Sequence, residues 1–242
     1  YLFFEPDKTT NYEVGIKGNL LDSDVYYSAT AYYIDWEDPI LLVQSPNGGF
    51  PAMINAQSAV SKGIELEVNA RLSDAFKLNV GYTYTNAELT EDFITPGGSL
   101  GAVDGESLPG IPESTLVSSL HYQQALGDGM FSAQIGVSFK DEFTTGYQMP
   151  SIFYEQGYDE IPSSVLWNAS AKFAIDSWSV SLFAENLFNS DAPTASDGDG
   201  KYITDTAAGE SKAGEQYSIS QLGDQLYRVR PRTVGVSVSY EF

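Results

Sequence analysis

The stretch Arg232-Thr233-Val234-Gly235-Val236-Ser237-Val238-Ser239-Tyr240-Glu241-Phe242 decides the fold. From Val234 onward its even positions are Val, Val, Val, Tyr and Phe, while the odd positions between them are Gly, Ser, Ser and Glu. Successive side chains of a β-strand point to opposite faces, so this is a strand with one apolar face ending in two aromatics and one small or polar face. Two architectures shelter such a face. In a soluble β-sandwich it packs against a second sheet; in a membrane barrel it meets lipid, and the polar face lines the lumen. A strand running to a final Phe242 with no polar tail is expected of a barrel's closing strand, since ordinary termini fray into water.

The same alternation recurs upstream. About Thr10 to Leu20, Tyr12, Val14, Ile16 and Leu20 oppose Glu13, Lys17 and Asn19. About Val25 to Trp36, Val25, Tyr27, Ala29, Ala31 and Tyr33 oppose Tyr26, Ser28, Thr30 and Tyr32. A third strand, about Val60 to Leu72, sets Ile64, Leu66, Val68 and Ala70 against Glu65, Glu67, Asn69 and Arg71. The fourth sets Phe76, Leu78, Val80, Tyr82 and Tyr84 against Lys77, Asn79, Gly81, Thr83 and Thr85. The fifth, about Thr115 to Ala125, is less regular, and the sixth carries Phe131, Ala133, Ile135, Val137 and Phe139 on one face. The seventh does the same with Val165, Trp167, Ala169, Ala171 and Phe173. The eighth begins at Trp178 with Val180, Leu182 and Ala184 and is expected to continue through Asn186, Leu187 and Phe188.

The connections alternate short and long. Turns at 21–24, 73–75, 127–129 and 176–177 separate strands whose other ends lead into long Gly- and Pro-containing loops at about 37–58, 86–113, 144–162 and 190–225. The strands run longer than the five or six residues common in soluble domains, and a tilted strand of roughly nine to eleven residues crosses a bilayer. Long strands with turns on one side and loops on the other predict an antiparallel transmembrane barrel.

Composition agrees. Of 242 residues, 33 are Asp or Glu and 12 are Lys or Arg, a formal charge of −21. A basic face for phosphate is missing, so nucleic acid is not expected as a partner. There is no cysteine, hence no disulfide framework or thiolate metal site. No apolar run approaches the ~18 residues of a membrane helix, so a membrane is crossed by strands or not at all. A start at Tyr1 rather than Met fits a mature or partial chain.

Several short motifs together resemble the barrel of TonB-dependent outer-membrane receptors. They are Asn11-Tyr12-Glu13-Val14-Gly15-Ile16-Lys17-Gly18, Tyr32-Tyr33-Ile34-Asp35-Trp36, Ser61-Lys62-Gly63-Ile64-Glu65-Leu66-Glu67, Gly81-Tyr82-Thr83-Tyr84-Thr85, Leu108-Pro109-Gly110-Ile111-Pro112, Glu185-Asn186-Leu187-Phe188-Asn189 and Arg230-Pro231-Arg232-Thr233-Val234-Gly235. The resemblance implies that residues 1–242 are the C-terminal portion of a twenty-two-stranded plugged barrel, about nine strands of it. The N-terminal plug and first strands are then expected in missing chain or a partner chain. It also implies the bacterial outer membrane as location, lipid as surroundings, and TonB as partner through the plug. The implied activity is energy-coupled import of a bulky scarce nutrient, by family frequency a ferric siderophore, with an oligosaccharide as competitor. The rival from another class is a soluble calcium-dependent β-sandwich lectin or adhesion module.

Candidate sites are weighed against plainer roles. Tyr147, Phe153, Tyr154 and Tyr158 share a long loop and could stack on a sugar or an aromatic chelate, or pack that loop onto its neighbours. Asp197 and Asp199 match calcium ligands in type, without the twelve-residue pattern and closing Glu; no metal site is assigned. Glu65 and Glu67 alternate with apolar residues and read as a solvated wall rather than an acid–base pair. His121 is the only histidine, which leaves a nucleophile or metal without company. The Gly97-Gly98 pair lacks the strand-to-helix setting of a phosphate cradle. No catalytic residue, enzyme activity or cofactor is expected. Tyr33, Tyr84, Phe139, Trp167, Trp178, Tyr240 and Phe242 are expected as aromatic girdles at the membrane boundaries.

Overall fold

The computed structural model describes residues 5–44, 51–56, 58–94, 100–147, 160–196 and 226–242. In chain order its strands are β1 (Lys8–Leu20), β2 (Val25–Glu37), β3 (Ile40–Gln44), β4 (Pro51–Asn55), β5 (Ser58–Arg71), β6 (Phe76–Leu89), β7 (Phe93–Ile94), β8 (Leu100–Ala102) and β9 (Ser114–Leu126). They continue with β10 (Gly129–Lys140), β11 (Phe143–Thr144), β12 (Glu160–Ile161), β13 (Ser164–Ile175), β14 (Trp178–Glu185), β15 (Pro193–Ser196), β16 (Leu226–Arg228) and β17 (Thr233–Tyr240). No helix occurs among the described residues.

Nine strands form one sheet in the order β1-β2-β5-β6-β9-β10-β13-β14-β17. Each ladder is antiparallel between sequence neighbours. This is an up-and-down meander, and all nine expected strands are present. The other eight strands pair as short ribbons, β3-β4, β7-β8, β11-β12 and β15-β16, one within each long connection. The alternation did not foretell these ribbons.

Register makes the two faces continuous. Across the sheet Val25 pairs with Ala70 and Ala70 with Leu78, then Leu78 with Leu120, Leu120 with Ile135 and Ile135 with Ala169. At the far edge Leu182 pairs with Val236. A slip of one residue in any ladder would move that strand's apolar set to the polar face. In the less regular β9, Ser118 takes an apolar-face position and Val117 a polar-face one.

Among the described residues nothing covers the apolar face. Val234, Val236 and Val238 are 69%, 64% and 59% exposed, and Val14, Ile16, Leu66, Val180 and Leu182 are exposed as well. No sheet of similar breadth stands opposite among the described residues. A sandwich would bury these valines; here one side of a whole sheet is left apolar and open. β1 and β17 form the two edges, each with one ladder partner among the described residues.

Glycines are placed where aromatic rings cover the strand. The Tyr32 ring lies on Gly63, and its hydroxyl bonds the Thr85 hydroxyl at 2.8 Å. A Cβ on Gly63 would collide with the Tyr84 carbonyl and meet Tyr32 Oη at 2.7 Å. Phe183 covers Gly235 in the same way, a device that re-shields backbone exposed by glycine. Gly63→Ala should therefore cost about 1–3 kcal/mol through overpacking. Gly81→Ala, with open space around its Cβ, is the control. Equal urea midpoints for the two variants would refute this.

The eighth wall strand is shorter than expected. β14 stops at Glu185, because Asn186 turns into the left-handed region at φ 49° and Asn189 follows at φ 56°. Asn tolerates that conformation better than most residues.

Candidate functional site

Both groups of candidate residues follow from strand parity. On the polar face, β2, β5, β6 and β9 line a shallow groove with Ser28, Thr30, Glu65, Glu67, Thr83 and Thr115. Asn69 donates to Glu67 at 2.7 Å. Farther along this face His121 Nε2 lies 3.0 Å from the Ser119 hydroxyl, which accepts from Asn79 at 3.2 Å. The histidine thus belongs to a short wall network. Among the described residues no three His, Cys, Asp or Glu side chains gather as a metal site.

The only buried apolar cluster among the described residues lies at the loop end of the polar face. Register aligns Trp36 with Ala59 and Ala59 with Leu89. Against this row pack Ala56, Ala87, Phe93, Ala102 and Leu108, with Tyr147 at the margin. Trp36 Nε1 donates to Asp7 at 2.8 Å. Sequence reasoning missed this cluster. Its signal was present: Trp36 and Leu89 are large apolar residues on the polar parity, both at the loop-side ends of their strands.

Tyr147 is the one member of the aromatic loop group that falls among the described residues. Its ring packs against the cluster, and its buried hydroxyl has no hydrogen-bond partner among the described residues. Burial, then the nearby Glu106 charge, pushes its ionisation far above the usual tyrosine range, so it stays neutral at any physiological pH. Phe153, Tyr154 and Tyr158, the acidic pair Asp197 and Asp199, and Gly97-Gly98 lie outside the described residues. At the end of β10, the Lys140 ammonium sits 4.4 Å from the centre of the Phe143 ring, a cation–π contact.

The aromatics of the apolar face fall at its two ends. Toward the loops, Tyr12 pairs with Tyr33, Ile64 with Tyr84 and Phe139 with Val165. Trp167 meets Phe188 edge-on at 6.1 Å. Toward the turns, Phe76 and Tyr122 lie 4.8 Å apart, Trp178 and Tyr240 4.8 Å, and Tyr240 and Phe242 5.1 Å. Past the loop-end aromatics this face turns charged, with ion pairs Lys8–Glu37 at 2.6 Å and Lys62–Glu88 at 3.0 Å. The Glu37 hydrogen bond and charge raise the Lys8 pKa.

An antiparallel meander of long strands, apolar and bare on one face and polar on the other, is a wall segment of a transmembrane β-barrel. Residues 2–187 match the family model described as TonB dependent receptor-like, beta-barrel, and the chain belongs to that family. These are outer-membrane proteins of bacteria. Over 89 residues, 37% of this chain and 12% of the relative, it is 29% identical to the metal-pseudopaline receptor CntO of Pseudomonas aeruginosa. Over 96 residues, 40% of this chain and 12% of the relative, it is 30% identical to the ferrichrome outer membrane transporter/phage receptor of Escherichia coli K12. The solved structure of the ferric yersiniabactin uptake receptor FyuA from Yersinia pestis superposes with a TM-score of 0.69 at 18% identity. That superposition covers 99% of this chain and 30% of the other, so the chain spans less than a third of that receptor's length.

Proposed function

We propose that this chain is the C-terminal wall of a TonB-dependent transporter that imports a bulky metal chelate, a ferric siderophore foremost. The plug and the remaining strands lie outside residues 1–242, and TonB acts through the plug. The supporting observation is the bare apolar face carried across nine antiparallel strands. An open sheet with this face does not persist alone in lipid, where unpaired edges are costly, so the rest of a barrel completes it. Relatives named for pseudopaline, ferrichrome and pyoverdine support a metal chelate over an oligosaccharide. The formal charge of −21 favours a neutral or cationic complex over an anionic one, because a field of one sign repels like charge.

In this reading Tyr33, Tyr84, Phe139 and Trp167 belong to the outer girdle, and Trp178, Tyr240 and Phe242 to the periplasmic one. Their spacing is consistent. Positions 76 and 84 are eight residues apart, about 26 Å along a strand. A tilt of about 40° reduces this to about 20 Å, near the ~25 Å apolar band of such barrels.

The test is uptake by cells with and without the gene, supplied with isotopic iron as hydroxamate, catecholate or mixed chelates, and with labelled oligosaccharides. Loss of uptake of one iron chelate on deletion, restored by the gene, is the expected result. Loss of growth on an oligosaccharide with iron uptake intact would replace the cargo. Extraction of the protein without detergent would remove the barrel reading itself.

A further inference from the structure

The connection between β6 and β9 is not built like a free loop. β9 begins opposite Tyr84, so on that side the last residues of β6 have no wall strand beside them. The returning segment fills the place. Thr85 N–H donates to the Glu113 carbonyl at 2.8 Å, Leu108 N–H to Ala87 at 2.9 Å and Leu89 N–H to Glu106 at 2.9 Å. Glu88 and Ser107 form an antiparallel bridge. The outgoing segment is tied to the other neighbour, with Thr90 N–H donating to the Ser58 carbonyl at 3.1 Å and the Ser58 hydroxyl to Glu91 at 3.2 Å. Within the connection Phe93 pairs with Ala102, and both are buried on the Trp36-Ala59-Leu89 row together with Leu108.

From this geometry we infer that the described residues of this connection, 90–94 and 100–113, form a fixed lip of the barrel wall that stays closed on the polar face throughout the working cycle of the receptor. Swinging it outward would break the ladder beyond Tyr84 and expose Leu89, Phe93, Ala102 and Leu108 to water together. Elements that move in function come from the weakly packed end of a structure, and this one is the best-packed part of the described chain. Gly105, at φ +81°, shapes a tight turn within the returning segment, where Glu106 N–H donates to the Val103 carbonyl at 3.1 Å. Opening and closing of the mouth therefore falls to other connections. The inference rests on the transporter reading only for its uptake readout.

Glu88 and Ser107 provide the test. The hydrogen bonds on either side, Leu108 to Ala87 and Leu89 to Glu106, make them a non-hydrogen-bonded pair, whose side chains stand closest across an antiparallel ladder. Glu88→Cys with Ser107→Cys in the complete receptor should oxidise fully in the outer membrane. Uptake should be within twofold with the disulfide formed or reduced. The Lys62–Glu88 ion pair is lost in both forms, so it cancels. A fall of more than tenfold on oxidation, recovered by reductant, would show that the lip must open. Failure of the disulfide to form would overturn the pairing itself. Hydrogen exchange needs no cargo: slow exchange at the Leu89 and Leu108 amides is expected, and exchange as fast as in a free peptide would refute the lip. If the wild-type receptor takes up no tested cargo, the transporter reading fails while the exchange result still decides the lip.

Discussion

Leu182→Arg should lower the stability of the folded receptor in lipid by about 2–4 kcal/mol, the cost of placing an arginine on the hydrocarbon face of a barrel near the membrane midplane. Leu182 is more than half exposed and pairs with Ala171 and Val236. It lies between Trp178 at the turn end and Trp167 near the loop end. In a soluble protein so exposed a leucine would accept arginine at little cost. The neighbouring position makes the comparison sharp. Ser181 occupies the opposite face, paired with Lys172 and Ser237, and Ser181→Arg would put its charge in the wet lumen for a few tenths of a kcal/mol. The measurement is urea-dependent folding into lipid vesicles, followed by the change in gel migration between folded and heated protein. One residue step should separate a severe variant from a mild one. Equal midpoints for the two variants would mean that Leu182 does not face hydrocarbon.

The same parity explains what was legible in the sequence. Period-two alternation is local, so the nine wall strands, their pairing order and the apolar face can all be read from Tyr12 to Tyr240. Turns of two to four residues leave little freedom in how adjacent strands pair. What escaped was set by contacts between distant residues. Phe93 and Ala102 form a ribbon too short to alternate, and both owe their burial to Trp36, Ala59 and Leu89. Tyr147 could not be told from its loop companions, because whether a loop aromatic is presented or packed depends on how the loop folds. The strand expected through Phe188 failed for a conformational reason. Asn186-Leu187-Phe188 prolongs the pattern, but Asn186 turns left-handed, and spacing carries no trace of that.

Asn186→Ala should be among the most damaging single changes in this chain, at about 3–5 kcal/mol. Asn186 is only 6% exposed and ties three stretches together. Its amide nitrogen donates to the Ser190 carbonyl at 2.7 Å and the Arg230 carbonyl at 3.0 Å, and its side-chain oxygen accepts from Ser190 N–H at 2.8 Å. Its own N–H donates to Asn168 at 3.0 Å, Leu187 N–H bonds the Trp167 carbonyl at 2.7 Å, and Asn189 accepts from Arg232 N–H at 3.0 Å. The end of β14 is thereby locked to β13 and to the chain returning toward β17. Alanine takes the hydrogen-bond partner from the half-buried Ser190 N–H and carbonyl and from the exposed Arg230 carbonyl, at about 0.5–1.5 kcal/mol each, and adds about 1–2 kcal/mol for a left-handed Cβ without local hydrogen bonding. Two further variants separate the parts. Asn186→Gly removes the backbone cost and keeps the loss of hydrogen bonds, so it should fall between wild type and alanine. Asn186→Asp is nearly isosteric but sets a carboxylate oxygen against two carbonyls, so it should rescue nothing. Folding midpoints in vesicles rank the three, and an alanine variant with the wild-type midpoint would show that β17 docks without this junction.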